Sequence, residues 1–181
     1  MAKKNFKQLL NNVKSFVFDI DGVLTDGNIA VMTDGNMVRT MNTRDGYALQ
    51  HAVKNGYIVG VISGGRSEPV KNRLEKLGIH DIYLGITDKL DALKEFMHIH
   101  NLKHEDILYM GDDMPDYEVM QRCGIPCCPN NAVNEIKELS VYISDKKGGD
   151  GCVRDVIEQV MKVHNNWMPL KKKERKSLTT L

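Results

Sequence analysis

VFDIDGVLTDG, residues 17–27, sets Asp19, Asp21 and Asp26 against a run of strand-forming apolar residues. Val17, Phe18, Ile20, Val23 and Leu24 read as a buried strand running to its end. Charge in such a place is costly unless something pairs it. Solvated loop acids and turn caps account well for Asp26, Asp34, Asp81 and Asp106, each near a turn or helix start. They do not account for Asp19, to which a buried strand end offers no water.

The pattern around this stretch is strand and helix in alternation. SFVFDI is the first strand. NIAVM and MVRTM flank the turn TDGN, whose Asp34-Gly35 pair is a hairpin signal. Thr43 is placed to cap a helix that stops at Gly56. YIVGVIS, DIYLG and DILYMG are the next strands. Helices are expected from Ser67 or Arg66 to Gly78, from Asp88 to Asn101, and over PDYEVMQRCG. IPCC and VYIS are short later strands, and GCVRDVIEQVMKVH is a closing helix. Such alternation implies an α/β, Rossmann-like three-layer sandwich with a mostly parallel sheet, here with a β-hairpin flap. Ligands bind such sheets beyond the carboxyl ends of the strands.

Those ends are polar. The first carries Asp19 and Asp21, the second Ser63-Gly64-Gly65-Arg66, and the fourth Gly111-Asp112-Asp113 with Asp116 following; Asp88-Lys89 comes after the third. In one crevice they amount to as many as five carboxylates, a hydroxyl and a lysine. Two like charges about 4 Å apart repel by roughly 4 kcal/mol at an effective dielectric near 20. Several converging carboxylates therefore need a hard cation such as Mg2+, and Lys89 is suited to a phosphate. The stretch is no EF-hand loop, because Val23 and Leu24 fill its fifth and sixth positions and Ala30 stands where Glu is needed. No GxxxxGK[ST] phosphate loop occurs.

DIDGVLTD at 19–26, ISGG at 62–65, Lys89 and GDDMPD at 111–116 together resemble the four motifs of the haloacid dehalogenase superfamily of aspartate-nucleophile phosphatases. The resemblance implies that Asp19 is the nucleophile and Asp21 the general acid and base. Negative neighbours are expected to help Asp21 hold its proton. It implies Mg2+ on the Asp19 carboxylate, the Asp21 carbonyl and Asp112. Ser63, with Gly64 and Gly65, would hold the phosphoryl group and Lys89 would neutralise it. Asp113 and Asp116 are metal ligands or partners of Lys89, the latter reading being preferred. The spacing leaves no room for a cap domain.

Within the superfamily the missing cap, the segment NTRDGYAL and the stretch KKGGDGCVR at 146–154 resemble the phosphatases of 3-deoxy-D-manno-octulosonate 8-phosphate. That resemblance implies a phosphorylated keto-sugar acid as partner and a homotetramer joined through the hairpin. Thr43, Asp45, Gly46 and Arg154 are substrate-side candidates. Arg73 is a candidate to meet a sugar-acid carboxylate from a neighbouring subunit, or else an exposed helix arginine. Related enzymes act on nine-carbon keto-acid phosphates, and related domains fused to cytidylyltransferases serve oligomerisation; both stand as alternatives.

The bulk numbers agree with an enzyme of this kind. The chain has 181 residues, 41% hydrophobic and 27% charged, enough for one core. No signal peptide or membrane span is legible, so a cytoplasmic location is expected. The four cysteines lack paired zinc spacing and read as buried thiols. Net charge is +1, of which KKKERK at 171–176 supplies +4, leaving −3 for the rest. No basic face with interleaved aromatics points to nucleic acid. The expected division is an extension over 1–14, the phosphatase domain over 15–165, and a disordered basic tail over 166–181.

Overall fold

The computed structural model describes residues 6–168. In chain order the elements are α1 (Phe6–Leu9), β1 (Ser15–Phe18), β2 (Ala30–Val31), β3 (Met37–Val38), α2 (Thr43–Lys54), β4 (Ile58–Ser63), α3 (Glu68–Lys76) and β5 (Asp81–Leu84). There follow α4 (Lys89–Ile99), β6 (Ile107–Met110), α5 (Tyr117–Met120), β7 (Ile125–Cys128), α6 (Asn134–Leu139), β8 (Tyr142–Ile143) and α7 (Cys152–Val163). Six strands form one sheet in the order β5-β4-β1-β6-β7-β8, and every pairing in it is parallel. β1 lies at the centre, and the chain leaves it outward through β4 and β5 before returning on its other side at β6. That reversal is the switch point where α/β sheets bind ligands.

Alternating side chains serve two cores, one on each face. Phe16 and Phe18 of β1, with Leu108 and Met110 of β6, pack beneath α2, α3 and α7. Val17, Ile107 and Tyr109 point the other way, toward α4, α5 and α6. The segment before β1 joins the first core through fully buried Leu10 and Val13. His164 Nε2 lies 3.0 Å from the Leu10 carbonyl, so both ends of the described chain meet on this face. All four cysteines are buried and unpaired, as expected. Among the described residues no helix is long and apolar enough to cross a membrane. The basic run 171–176 lies outside them.

Four local expectations change. Asn42, not Thr43, caps α2, its side chain accepting from the Arg44 N–H at 2.8 Å. The hairpin strands shrink to two residues each around a loop from Met32 to Asn36, with Gly35 at φ 84°. PDYEVMQRCG yields only a 3-10 turn at Met114–Asp116 and the single helical turn of α5. Gly124 then ends it against the chain after α4, its N–H donating to the His104 carbonyl at 2.7 Å. Asp81, read as a loop acid, instead pairs with His100 Nε2 at 2.9 Å.

Gly60 in β4 is a packing requirement, since a Cβ there would come within 2.9 Å of the Phe96 ring from α4. Gly60→Ala is expected to lower unfolding stability by about 1–3 kcal/mol, the usual cost of overfilling a core. Urea denaturation with an unchanged m-value would show it.

Candidate active site

Each strand end delivers its group to the switch point. The Asp19 N–H donates to the Met110 carbonyl at 3.1 Å, tying the residue after β1 to the end of β6. Ser63 ends β4, and Lys89 opens α4 directly after its cap Asp88. Beyond β1 the backbone turns over Ile20–Leu24 with Gly22 at φ 92°. A side chain on Gly22 would run into the Asp112 carboxylate, so glycine brings the β1 and β6 ends together. The stretch Gly148–Gly151 supports this turn from behind. The Gly149 N–H donates to the Val23 carbonyl at 2.9 Å, and a Cβ on Gly148 would strike the Gly22 carbonyl.

Lys89 is the hub. Its ammonium lies 3.0 Å from Asp19 Oδ1 and 2.8 Å from Asp116 Oδ1. Asp116 also accepts from the Tyr109 hydroxyl at 2.8 Å and from the Asp112 N–H at 3.2 Å, which occupies both its oxygens. Burial alone would lower the Lys89 pKa, but the two carboxylates outweigh it and hold the ammonium above its ordinary value. Burial first, then the Asp116 charge, pushes Asp19 up to about 6 despite Lys89. Burial and the charges of Asp19, Asp116 and Asp113 push Asp112 up to about 7.

Oxygens of Asp19, Asp112 and Asp116 lie within 4.8 Å of one another. Because Asp116 is committed to Lys89 and Tyr109, Asp19 and Asp112 are the carboxylates left to hold a cation. The uncompensated charge expressed in their raised pKa values is what a hard divalent ion relieves. Asp116 therefore sits as the partner of Lys89. Asp113 does not: it is exposed, and its carboxylate accepts from the Met114 N–H at 2.7 Å.

Asp21 meets a cation rather than the negative neighbours expected. Arg39, from the chain just after β3, grips it with Nε to Oδ1 at 2.7 Å and Nη2 to Oδ2 at 3.0 Å. Sequence reading passed over this arginine, as it did Tyr109. Its only sequence signal is a lone basic residue in the apolar MVRTM arm.

Asp19, Asp21, Ser63, Gly64, Gly65 and Lys89 share with Asp112, Asp113 and Asp116 the lining of a cavity of about 320 Å3. A larger one of about 790 Å3 adjoins the flap and is lined by Arg39, Thr43, Arg66 and Arg73, among others. Arg73 lies over Gly46, where a Cβ would approach its guanidinium to 2.9 Å, so it belongs to this cavity within its own subunit. Asp45 and Arg154 line neither cavity. The buried Asp45 carboxylate accepts from the Arg154 N–H at 2.7 Å, at the start of α7, and burial pushes it up to about 6. The Arg154 guanidinium instead lies 5.3 Å from the Trp167 ring and 6.0 Å from that of Tyr47, with Nε 3.2 Å from Glu158.

The sequence profile of the haloacid dehalogenase-like hydrolases matches residues 75–156. The 3-deoxy-D-manno-octulosonate 8-phosphate phosphatase of Yersinia pestis is 31% identical over 150 residues, covering 83% of this chain and 80% of its own. The chain belongs to this phosphatase family. A crystal structure of the Yersinia pestis phosphatase superposes with a TM-score of 0.88 at 29% identity, covering 91% of this chain and 89% of that one. The family's structure from Moraxella catarrhalis, a complex with magnesium ion, phosphate ion and 3-deoxy-D-manno-octulosonate, gives 0.87 at 31% identity, covering 99% and 100%. A cobalt-bound form from Haemophilus influenzae gives 0.86 at 26% identity, covering 92% and 98%. The phosphatase assignment and the capless parallel fold expected from sequence therefore stand.

The raised carboxylates carry a pH signature. An aspartate held above its ordinary value of about 3.9 gives the folded state the greater proton uptake, so stability falls as pH rises through the window up to its folded value. For Asp19 and Asp112 that window closes at about 6 and about 7. With chelator present, the thermal midpoint is expected to drop between about pH 4 and about pH 7. Mg2+, which binds the ionised folded site, should shrink that drop, as should Asp112→Asn. Profiles that Mg2+ leaves unchanged would contradict the charge argument.

Proposed function

We propose that this protein hydrolyses 3-deoxy-D-manno-octulosonate 8-phosphate to the free sugar acid and phosphate, with Mg2+ as cofactor. The observation that carries this reading is the group Asp19, Lys89 and Asp112 brought together beyond the carboxyl ends of the sheet, in a family whose Moraxella catarrhalis member was solved with magnesium, phosphate and that sugar acid. The ion would be held by the carboxylates of Asp19 and Asp112 and the backbone carbonyl of Asp21. Bound there, it supplies positive charge that lets an anionic nucleophile approach an anionic phosphoryl group.

Asp19 attacks phosphorus in line; its oxygen–phosphorus bond forms as the ester bond breaks. Asp21 gives a proton to the departing sugar oxygen. It then takes a proton from the water whose oxygen displaces Asp19, which returns the carboxylate and releases inorganic phosphate. Ser63 and the N–H groups of Gly64 and Gly65 hold the phosphoryl oxygens, while Lys89 offsets their charge. Thr43 and Arg73 in the larger cavity are in reach of the sugar-acid portion, and Gly46, buried in α2, leaves the room that the Arg73 guanidinium occupies. Arg154 is assigned no substrate contact.

Asp19→Asn is expected to lower turnover by at least about a thousandfold, while inorganic phosphate still binds. Activity close to that of the unaltered protein would dismiss Asp19 as nucleophile. Chelation should silence the enzyme and Mg2+ restore it. A steady-state comparison of eight- and nine-carbon keto-acid phosphates with small sugar phosphates tests the substrate. Preference for a nine-carbon ester would redirect the assignment, and inertness toward every ester would end it.

A homotetramer belongs to the same reading. The flap exposes Val31 (74%), Met37 (54%) and Val38 (48%), an apolar face that subunit contact would cover. Light scattering is expected to give four times the chain mass; a monomer would refute the assembly.

A further inference from the structure

Arg39 is out of character with the hairpin that carries it. The flanking Met37 and Val38 are exposed, yet the Arg39 side chain is only 6% exposed. Core packing does not explain this, because the hairpin strands are two residues long. Two of the three guanidinium nitrogens are satisfied by Asp21, whereas Nη1 is buried with no partner. A buried donor without an acceptor is costly, and guanidinium has five N–H groups to place. The group also lies against the turn that carries Ser63. A Cβ on Gly65 would stand 3.4 Å from Arg39 Nη2, 3.2 Å from Asp21 Oδ2 and 3.7 Å from Ser63 Oγ. A cation thus waits, incompletely satisfied, where the phosphomonoester reading puts the phosphoryl group.

We propose that Arg39 is a second cation for the phosphoryl group: parked on Asp21 when the site holds no anion, it transfers its guanidinium to the oxygens of an incoming phosphate monoester, and the exchange frees the Asp21 carboxyl. The inference rests on that phosphomonoester reading. A phosphate dianion offers more charge than one carboxylate, and several oxygens for a fork of parallel N–H bonds. It supplies the acceptor that Nη1 lacks. Both oxygens of Asp21 then become available to the leaving group. Flap position and readiness of Asp21 are thereby set by one side chain.

A latch that merely held the flap shut would behave oppositely, since an arriving anion would have to break the pair with nothing gained. Titration calorimetry of inorganic phosphate into the Mg2+-loaded protein separates the two. Arg39→Gln is expected to weaken phosphate binding by about tenfold, equivalent to about 1.4 kcal/mol, and to raise KM for p-nitrophenyl phosphate in parallel. Arg39→Lys, which keeps charge but not the fork, should fall between. If Arg39→Gln does not fold, Arg39→Lys decides alone, with a loss of about threefold expected. Unchanged or tighter phosphate binding in a folded variant overturns the proposal. Failure of the unaltered protein to bind phosphate would instead overturn the phosphomonoester reading, and this inference with it.

Discussion

Negative charge gathered beyond the end of β1 is the constraint around which the molecule is arranged. Asp19, Asp21, Asp112, Asp113 and Asp116 line one small cavity, and the cations that touch them are Lys89 and Arg39. Lys89 is spent between Asp19 and Asp116, and Tyr109 with the Asp112 N–H steadies the far side of Asp116. What stays uncompensated is concentrated on Asp19 and Asp112, whose proton affinity burial and neighbouring carboxylates raise. Such a site is stable only in company: with protons, with a metal, or with a metal and the anion it brings.

Close backbone approach is the price of that concentration. Gly22 lets the Asp112 carboxylate reach the turn after β1, Gly111 leaves room for Asp116, and Gly148 lies against the Gly22 carbonyl. The glycine-rich stretch before α7 is a buttress beneath the site, tied in by the bond from Gly149 to Val23 and by the Cys152 thiol, 3.3 Å from the same carbonyl. Asp45 belongs to this support, since it accepts from the N–H of Arg154 in the first turn of α7.

The parts legible in the sequence are those fixed by short-range rules. Short apolar runs marked β1 and β6, Gly56 and Gly78 marked helix ends, and parallel topology obliges the strand ends to converge, so Asp19, Ser63, Lys89 and Asp112 could be grouped without coordinates. The misreadings at the site mostly concern partners far away in the chain. Arg39 finds Asp21 eighteen residues upstream, across a flap with almost no strand of its own. Asp45 and Arg154 are 109 residues apart, and their neighbours draw them away from both cavities. Asn42 and Thr43 are both good capping residues, so only the backbone bond to Arg44 distinguishes them.

The central position of β1 governs how the site comes into being during synthesis. Its neighbours are Ile58–Val61 on one side and Ile107–Met110 on the other, so the strand that leads into Asp19 is made early and paired on both edges only later. Until β6 leaves the ribosome, β1 lacks one edge partner, and Asp19 has neither Asp112 nor Asp116 beside it. Parallel pairings of this range close slowly and leave apolar strand edges open meanwhile. The carboxylate cluster therefore cannot exist until the chain has been made through Asp116, and until then Asp19 stands without its acidic neighbours.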